Sequence, residues 1–512
     1  MATEIVANNK RIVKNTILLY IRMFIVLLIS LYTTRVLLRV LGVENYGIYN
    51  VVSGFVAMFS FLNGAMANGI QRFYNVALGK DGEEGLTPVF NAALRIQTIL
   101  ALIVFVLLEV IGIWYINNIM VLPAERIPVA NLIFQLSALS LILIIIQAPY
   151  SGAIMAMEKM DYYSIVSIVE TLLRLGFIFI LQAITYDKLA AWGWINLALT
   201  LIVYLLYFAY CKRRFKFLQI KKGRDRLLFK SMLSFSGWNL FGTMSGILKD
   251  QGVNMILNYF CGPVVNAARG VSHQISAALQ GFISNNNIAV RPQLTQAYAQ
   301  GDTKRTFNLM FSISKLNYYL LLIMAVPLGV EINFVLQIWL GENVPEYTAP
   351  FALWIMATSL INNLNSPISL VVHATGKMKI YQLSTGFFSL LLVVVSVILL
   401  KIGLLPESVF VATFVVTAIN QIVSLYILRS LVPFSLREYM KDVVSPCFLV
   451  TILAVVPTLL LKEFLKENWV SFIIVIVFGV LISLISSYFV GMNQSERKMA
   501  LQFVNKFIKR SI

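Results

Sequence analysis

A chain of 512 residues that is 59% hydrophobic and only 12% charged, with a mean hydropathy of +0.81, cannot cover a water-facing surface, which excludes a soluble globular protein and leaves a polytopic membrane protein. The net charge of +18, from 41 Lys and Arg against 23 Asp and Glu, would point to nucleic acid in a soluble protein. In a membrane protein the usual excess of basic residues on cytoplasmic loops is the simpler source.

Residues 1–15 are polar. The apolar run after them is too long for a signal-peptide core and has no small-residue cleavage site, so it is expected to stay as a span. About 20 apolar residues cross ~30 Å of hydrocarbon. Fourteen such runs succeed one another: 16–41, 46–67, 91–116, 128–150, 162–184, 189–210, 233–260, 264–290, 307–330, 348–372, 380–402, 407–429, 443–461 and 469–491. The eighth and tenth are the least apolar and are candidates for broken or re-entrant helices. With the N-terminus inside, the cytoplasmic segments hold 28 Lys and Arg. The opposite side holds 5: Arg126, Lys188, Lys401, Lys462 and Lys466. This asymmetry puts both termini in the cytoplasm and accounts for the net charge.

The basic stretch CKRRFKFLQIKKGRDRLLFK divides the first twelve runs into six and six. As an inside loop beside anionic lipid it is expected to be basic, so membrane lipids are expected partners and nucleic acid is not. The organisation read from this is an N-lobe at 1–210, a linker at 211–230 and a C-lobe at 231–430. Two extra spans follow at 431–491, then a basic tail at 492–512. The halves are faintly similar at an offset of about 220: the first span ends at Gly42, the seventh near Gly262, and each is followed at once by another span. A same-orientation repeat implies two six-helix lobes related by a pseudo-two-fold along the membrane normal. The expected fold class is therefore all-α and polytopic, with about 14 transmembrane helices.

Cys211, Cys261 and Cys447 are far apart and form neither a disulfide framework nor a metal cluster, and His273 and His373 share no metal-ligand spacing. There is no Walker loop, nucleotide fingerprint, Gly-x-Ser-x-Gly or HExxH. The outer loops are too short for a catalytic domain. No enzyme activity and no cofactor are expected.

The remaining chemistry is in charges placed inside the spans: Arg22, Arg35, Arg39, Arg95, Glu109, Glu170, Arg174, Lys249, Asp250, Arg269, Lys315 and Glu331. Such residues usually face a cavity or a partner. Arg35 and Arg39 lie four apart on one helix face, which suits a cavity wall, although they could also reach the outer interface. Arg22 and Arg95 sit near inner ends and could snorkel to headgroups. Glu170 precedes Arg174 by one turn, the order that favours an internal pair. Lys249 and Asp250 are adjacent, point in different directions and need separate partners. The candidate substrate-binding cations are Arg35, Arg39, Arg174, Lys249, Arg269 and Lys315. Arg22, Arg95, His273 and Asn286, one of three consecutive asparagines, are further candidates. Glu170, Asp250 and Glu331 are candidates for H+ or Na+ coupling. The polar stretches ARGVSHQISAALQGFISNNN and SLINNLNSPISLVVH suit a wet cavity or helix–helix contacts. A cavity in which basic residues outnumber acidic ones two to one suits an anionic cargo such as a phosphate, pyrophosphate or acidic sugar.

LGVENYGIYNVVSGF, residues 41–55, resembles the Leu-Gly-x-x-x-Tyr-Gly-x-Tyr signature joining the first two spans of polysaccharide-export flippases, within the multidrug/oligosaccharidyl-lipid/polysaccharide (MOP) superfamily. Gln71-Arg72, GDTKR at 301–305, WLGENVPEYTAP at 339–350 and ATGKMK at 374–379 are similar in the same order. The resemblance implies a flippase that moves a lipid-linked (polyprenyl-pyrophosphate) oligosaccharide from the inner to the outer leaflet of the bacterial cytoplasmic membrane. The sugar would serve O-antigen (lipopolysaccharide), capsule or exopolysaccharide synthesis. It also implies two lobes with alternating access, and a polysaccharide polymerase and glycosyltransferases as partners. Fourteen spans resemble the lipid II flippase branch. The alternatives are a cation-coupled multidrug exporter of the same superfamily and a membrane glycosyltransferase or polymerase.

Overall fold

The computed structural model describes residues 2–157, 159–215, 218–219, 226–466 and 468–498. Positions 220–225 of the basic linker, most of the basic tail and the side chain of Arg72 lie outside the described residues.

Among the described residues the chain is helical and has no strand. It divides into two compact units, 1–270 and 271–512. The first begins with α1 (Ala2–Met58), α2 (Ser60–Asp81) and α3 (Leu86–Leu107). A π-helical turn at Leu108–Gly112 leads into α4 (Ile113–Asn118). Then come α5 (Ile127–Ala156), α6 (Met160–Ala183), α7 (Lys188–Arg214) and α8 (Arg226–Cys261), and the unit ends within α9 (Pro263–Ala299). The second unit holds the rest of α9, α10 (Thr303–Val330), α11 (Ile332–Leu340), α12 (Thr348–Thr375), α13 (Lys379–Lys401) and α14 (Glu407–Leu431). It closes with α15 (Leu436–Tyr439), α16 (Ser445–Glu463) and α17 (Trp469–Ser486).

All fourteen apolar runs fall on helices. Eleven helical stretches among the described residues are long and apolar enough to cross a membrane. One of them, Arg22–Met58, contains a break at Gly42 and so holds parts of two passages. The long, more polar α8 and α9 supply the seventh and eighth. The reason for the breaks is local. Gly42 and Gly262 have φ of 79° and 78°, the left-handed region that costs glycine little and other residues more. At both, one helix passes into the next across a break with almost no connecting loop, so the repeat visible in sequence is a repeat of turn geometry.

Apolar side chains face outward as a membrane requires. On α13, Ile380, Leu383, Phe387, Leu390, Val394 and Ile398 form an exposed stripe at helical spacing. Polar residues go inside. The eighth and tenth spans are not broken, contrary to the expectation from composition: α9 and α12 run continuously. Several of their polar residues bond to one another. Ser272 Oγ donates to the Thr348 carbonyl at 3.0 Å, Ser276 and Ser359 hydroxyls meet at 3.3 Å, and Asn363 Nδ2 donates to Gln280 Oε1 at 3.5 Å. Residues 272, 276 and 280 are one turn apart, so this is a hydrogen-bonded helix–helix seam.

The first unit extends past the 211–230 linker because α8 packs on α1, α2 and α3. Near its α7 end it holds an aromatic cluster. Tyr162 stacks on Tyr210 at 3.7 Å, and Tyr150 meets Phe90 and Phe208 edge to face.

Candidate functional site

The first unit carries seven of the eight in-span cations: Arg22, Arg35, Arg39, Arg95, Arg174, Lys249 and Arg269. It has three of the four in-span carboxylates: Glu109, Glu170 and Asp250. Arg35 and Arg39 are exposed on one face of α1, in the last two turns before the Gly42 break. Arg22, lower on the same helix, lays its guanidinium 5.0 Å from the centre of the Tyr163 ring on α6, and its Nε is enclosed. A cation over an aromatic face gains about 0.5–2 kcal/mol, which fits a role in docking α1 on α6. Arg95 is half-buried on α3.

Arg174 donates to Glu170 Oε1 and to Asn196 Oδ1, both at 3.1 Å, linking α6 to α7. Its pair with Glu170, one helical turn away, is about one-third exposed on each side, so it is held without full burial. Lys249 is half-buried on α8 and has no ion-pair partner among the described residues. Asp250, beside it, pairs with Arg269: Nη2 is 2.6 Å from Oδ1 and 2.7 Å from the Asp250 carbonyl. Arg269 is buried and Asp250 remains partly exposed.

Asp250 begins a polar stripe that the sequence reading passed over. Asp250, Asn254 and Asn258 are each four residues apart and share one face of α8. Asn266 Nδ2 donates to the Asn254 carbonyl at 2.7 Å and to its Oδ1 at 2.8 Å. Asn254 donates to the Asn50 carbonyl on α1 at 3.3 Å, and Asn258 Oδ1 accepts from the Val121 amide at 3.1 Å. The helices come close here because Gly47 has no side chain: a Cβ there would lie 1.8 Å from the Pro263 carbonyl oxygen. The four-residue spacing of DQGVNMILN was the signal that could have found this stripe.

The second unit uses its charges differently. Lys315, expected as a cavity cation, is buried and bound to Glu496 at 2.6 Å. Ser312 donates to the other Glu496 oxygen at 2.8 Å, and the Asn493 amide donates to Oε2 at 2.9 Å. The pair ties α10 to the segment after α17. Glu331 is buried against Lys462 at 2.9 Å, and Lys462 also donates to the Val330 carbonyl at 2.9 Å. Asn286 donates to Asn317 Oδ1 at 2.6 Å, and Asn317 donates to Asn287 Oδ1 at 2.8 Å. His273 is half-buried on α9. Among the described residues no group of His, Cys, Asp and Glu is arranged to hold a metal ion.

These helices match solved transporters. Over 92% of this chain and 98% of the other, the structure is similar to the lipid II flippase MurJ in an inward closed conformation, with a TM-score of 0.70 and 15% identity. It is similar to an inward-facing multidrug resistance MATE family transporter of the MOP superfamily (TM-score 0.66, 13% identity), over 81% of this chain and 98% of that one. It is also similar to a MOP superfamily transporter from Pyrococcus furiosus described by the reverse polarity of its binding pocket. That match has a TM-score of 0.60 and 14% identity, over 82% and 95% of the two chains. The protein is thus a multi-pass membrane protein with the MurJ- and MATE-like transporter fold.

The family described as Polysaccharide biosynthesis protein matches residues 12–298, more than half of the chain, and the chain belongs to that family. A curated relative, the uncharacterized membrane protein EpsK of Bacillus subtilis (strain 168), is 22% identical over 317 residues. The match spans 62% of each protein, so the chain covers less than two thirds of that relative's length.

Proposed function

We propose that the protein is a flippase that carries a lipid-linked (polyprenyl-pyrophosphate) oligosaccharide from the inner to the outer leaflet of a bacterial cytoplasmic membrane. It works by alternating access along a path lined with cations, and both termini are cytoplasmic. The observation that carries this reading is the pair Arg35 and Arg39, exposed side by side on α1 just before Gly42, in a unit with seven in-span cations. An arginine inside a span costs ~2.5–3.5 kcal/mol on insertion scales. That cost is offset where the guanidinium faces water and a diphosphate, whose oxygens match its fork of donors. Arg174 and Lys249 serve as further contacts along the path. Family membership supports the polysaccharide side of the reading. Glycosyltransferases then act before this protein and a polymerase after it.

The test uses proteoliposomes holding an undecaprenyl-pyrophosphate-linked disaccharide with a fluorescent sugar, scored by quenching from outside. Replacing Arg35 with Arg39, or Arg174 or Lys249, by Ala abolishes or strongly slows flipping. Normal flipping by all these variants refutes the cationic path. The MATE likeness favours a second reading, a cation-coupled multidrug exporter. Under it, the same variants leave ethidium efflux near the wild-type rate while the labelled lipid is not moved by any of them or by the parent.

A further inference from the structure

We infer that Glu109, with Gln135, forms the site at which this chain takes up a small monovalent cation, a proton or sodium, to drive transport. The inference rests on the transporter reading above. An ionised carboxylate inside a membrane span has to be neutralised, by a partner charge, a proton or a metal cation. Three of the four in-span carboxylates have a partner within the chain: Glu170 has Arg174, Asp250 has Arg269 and Glu331 has Lys462. Glu109 has no ion-pair partner among the described residues. Its Oε2 accepts from Gln135 Nε2 on α5 at 3.1 Å. Its Oε1 is enclosed by protein and accepts from no donor among the described residues.

Among the described residues the elements around Glu109 supply no counter-charge. The facing helix α5 has no charged residue along its 30 positions, and its one tyrosine, Tyr150, is about 22 Å of helix from Gln135. On the Glu109 side, Arg95 is the charged residue of α3, about 21 Å away along the axis. Tyr115 on α4 is the titratable group of that helix, and its ring stacks on Phe55 of α1 at 4.9 Å. Phe55 and Phe134 close on Gly112 of the same turn. Glu44, Tyr46 and Tyr49, the titratable groups of that α1 passage, lie six or more residues before Phe55. Glu109 also stands in the π-helical turn Leu108–Gly112. One such turn in an α-helix shifts the direction of its side chains, and such turns recur at functional sites. Among the described residues none neutralises Glu109, and a cation that enters and leaves one carboxylate is what coupling requires.

The experiment uses the full-length protein in nanodiscs, without any lipid-linked sugar. Thermal unfolding is compared in NaCl and choline chloride at equal ionic strength. Infrared difference spectra between acid and neutral pH follow the C=O stretch of a protonated carboxyl. Sodium uptake appears as a Tm that rises with NaCl in the parent and not in Glu109→Gln. Proton uptake appears as a carboxyl band present in the parent and lost in Glu109→Gln, with no sodium dependence. Glu109→Asp, which keeps the carboxylate, retains whichever response the parent shows. Identical behaviour of parent and Glu109→Gln in both measurements overturns the assignment. In proteoliposomes, an imposed proton or sodium gradient speeds flipping of the labelled lipid by the parent, and Glu109→Gln loses that acceleration. Acceleration retained in Glu109→Gln overturns the coupling role. Because the nanodisc readouts use no substrate, they stand or fall separately from the flippase reading.

Discussion

The two compact units spend their charges in different ways. Residues 1–270 keep in-span cations at exposed or half-buried positions: Arg35, Arg39, Arg95, Arg174 and Lys249. Residues 271–512 have one in-span cation, Lys315, and it is buried against Glu496. Their polar interior is otherwise mostly neutral, made of the Ser272, Ser276 and Gln280 seam and the Asn286, Asn287 and Asn317 cluster. Exposure therefore separates the two sets: several in-span cations of the first unit reach the surface, while that of the second is spent on architecture.

The largest test of that contrast is Arg35→Ala with Arg39→Ala. A charge-assisted contact contributes ~1.5–3 kcal/mol, so losing two slows flipping by at least about a hundredfold. Thermal unfolding in detergent stays near the parent, because the interactions of exposed side chains contribute less than about 1 kcal/mol. Lys315→Met shows the opposite signature. It strands a buried carboxylate and lowers stability by roughly 3–5 kcal/mol. Adding Glu496→Met recovers most of that loss, and the recovered protein flips at nearly the parent rate, as denaturation and proteoliposome assays together would show. Next, Gly47→Ala forces a methyl group onto the Pro263 carbonyl and costs about 1–3 kcal/mol in unfolding experiments. The smallest effect on stability belongs to Glu170→Gln. Its pair with Arg174 is one-third exposed, so the loss is below ~1 kcal/mol. A larger loss would move Arg174 to the architectural class.

Much of the fold was legible because a bilayer demands long apolar runs, and all fourteen runs are helical. Gly42 and Gly262 were legible as turns, since each ends a span with no loop residues to spare. The continuity of α9 and α12 was not. Composition alone cannot tell polar residues that face water from polar residues that bond to one another, and here Ser272, Ser276 and Gln280 do the latter. Partners remote in sequence were equally hidden. Glu496 lies 181 residues from Lys315 and Lys462 lies 131 from Glu331, and no local spacing links either pair. The Asp250, Asn254 and Asn258 stripe was readable from its four-residue period. Glu109 was visible as an in-span charge, but its lack of an ion-pair partner among the described residues is a three-dimensional fact.

Under the proposed function, exposed cations of the first unit handle an anionic lipid headgroup. Flipping of the fluorescent undecaprenyl-pyrophosphate disaccharide by the parent and by the Arg35→Ala, Arg39→Ala double variant, at matched amounts of folded protein, tests it most directly. Robust flipping by the parent and a loss of at least about a hundredfold in the variant are expected. Equal rates for the two proteins would contradict it.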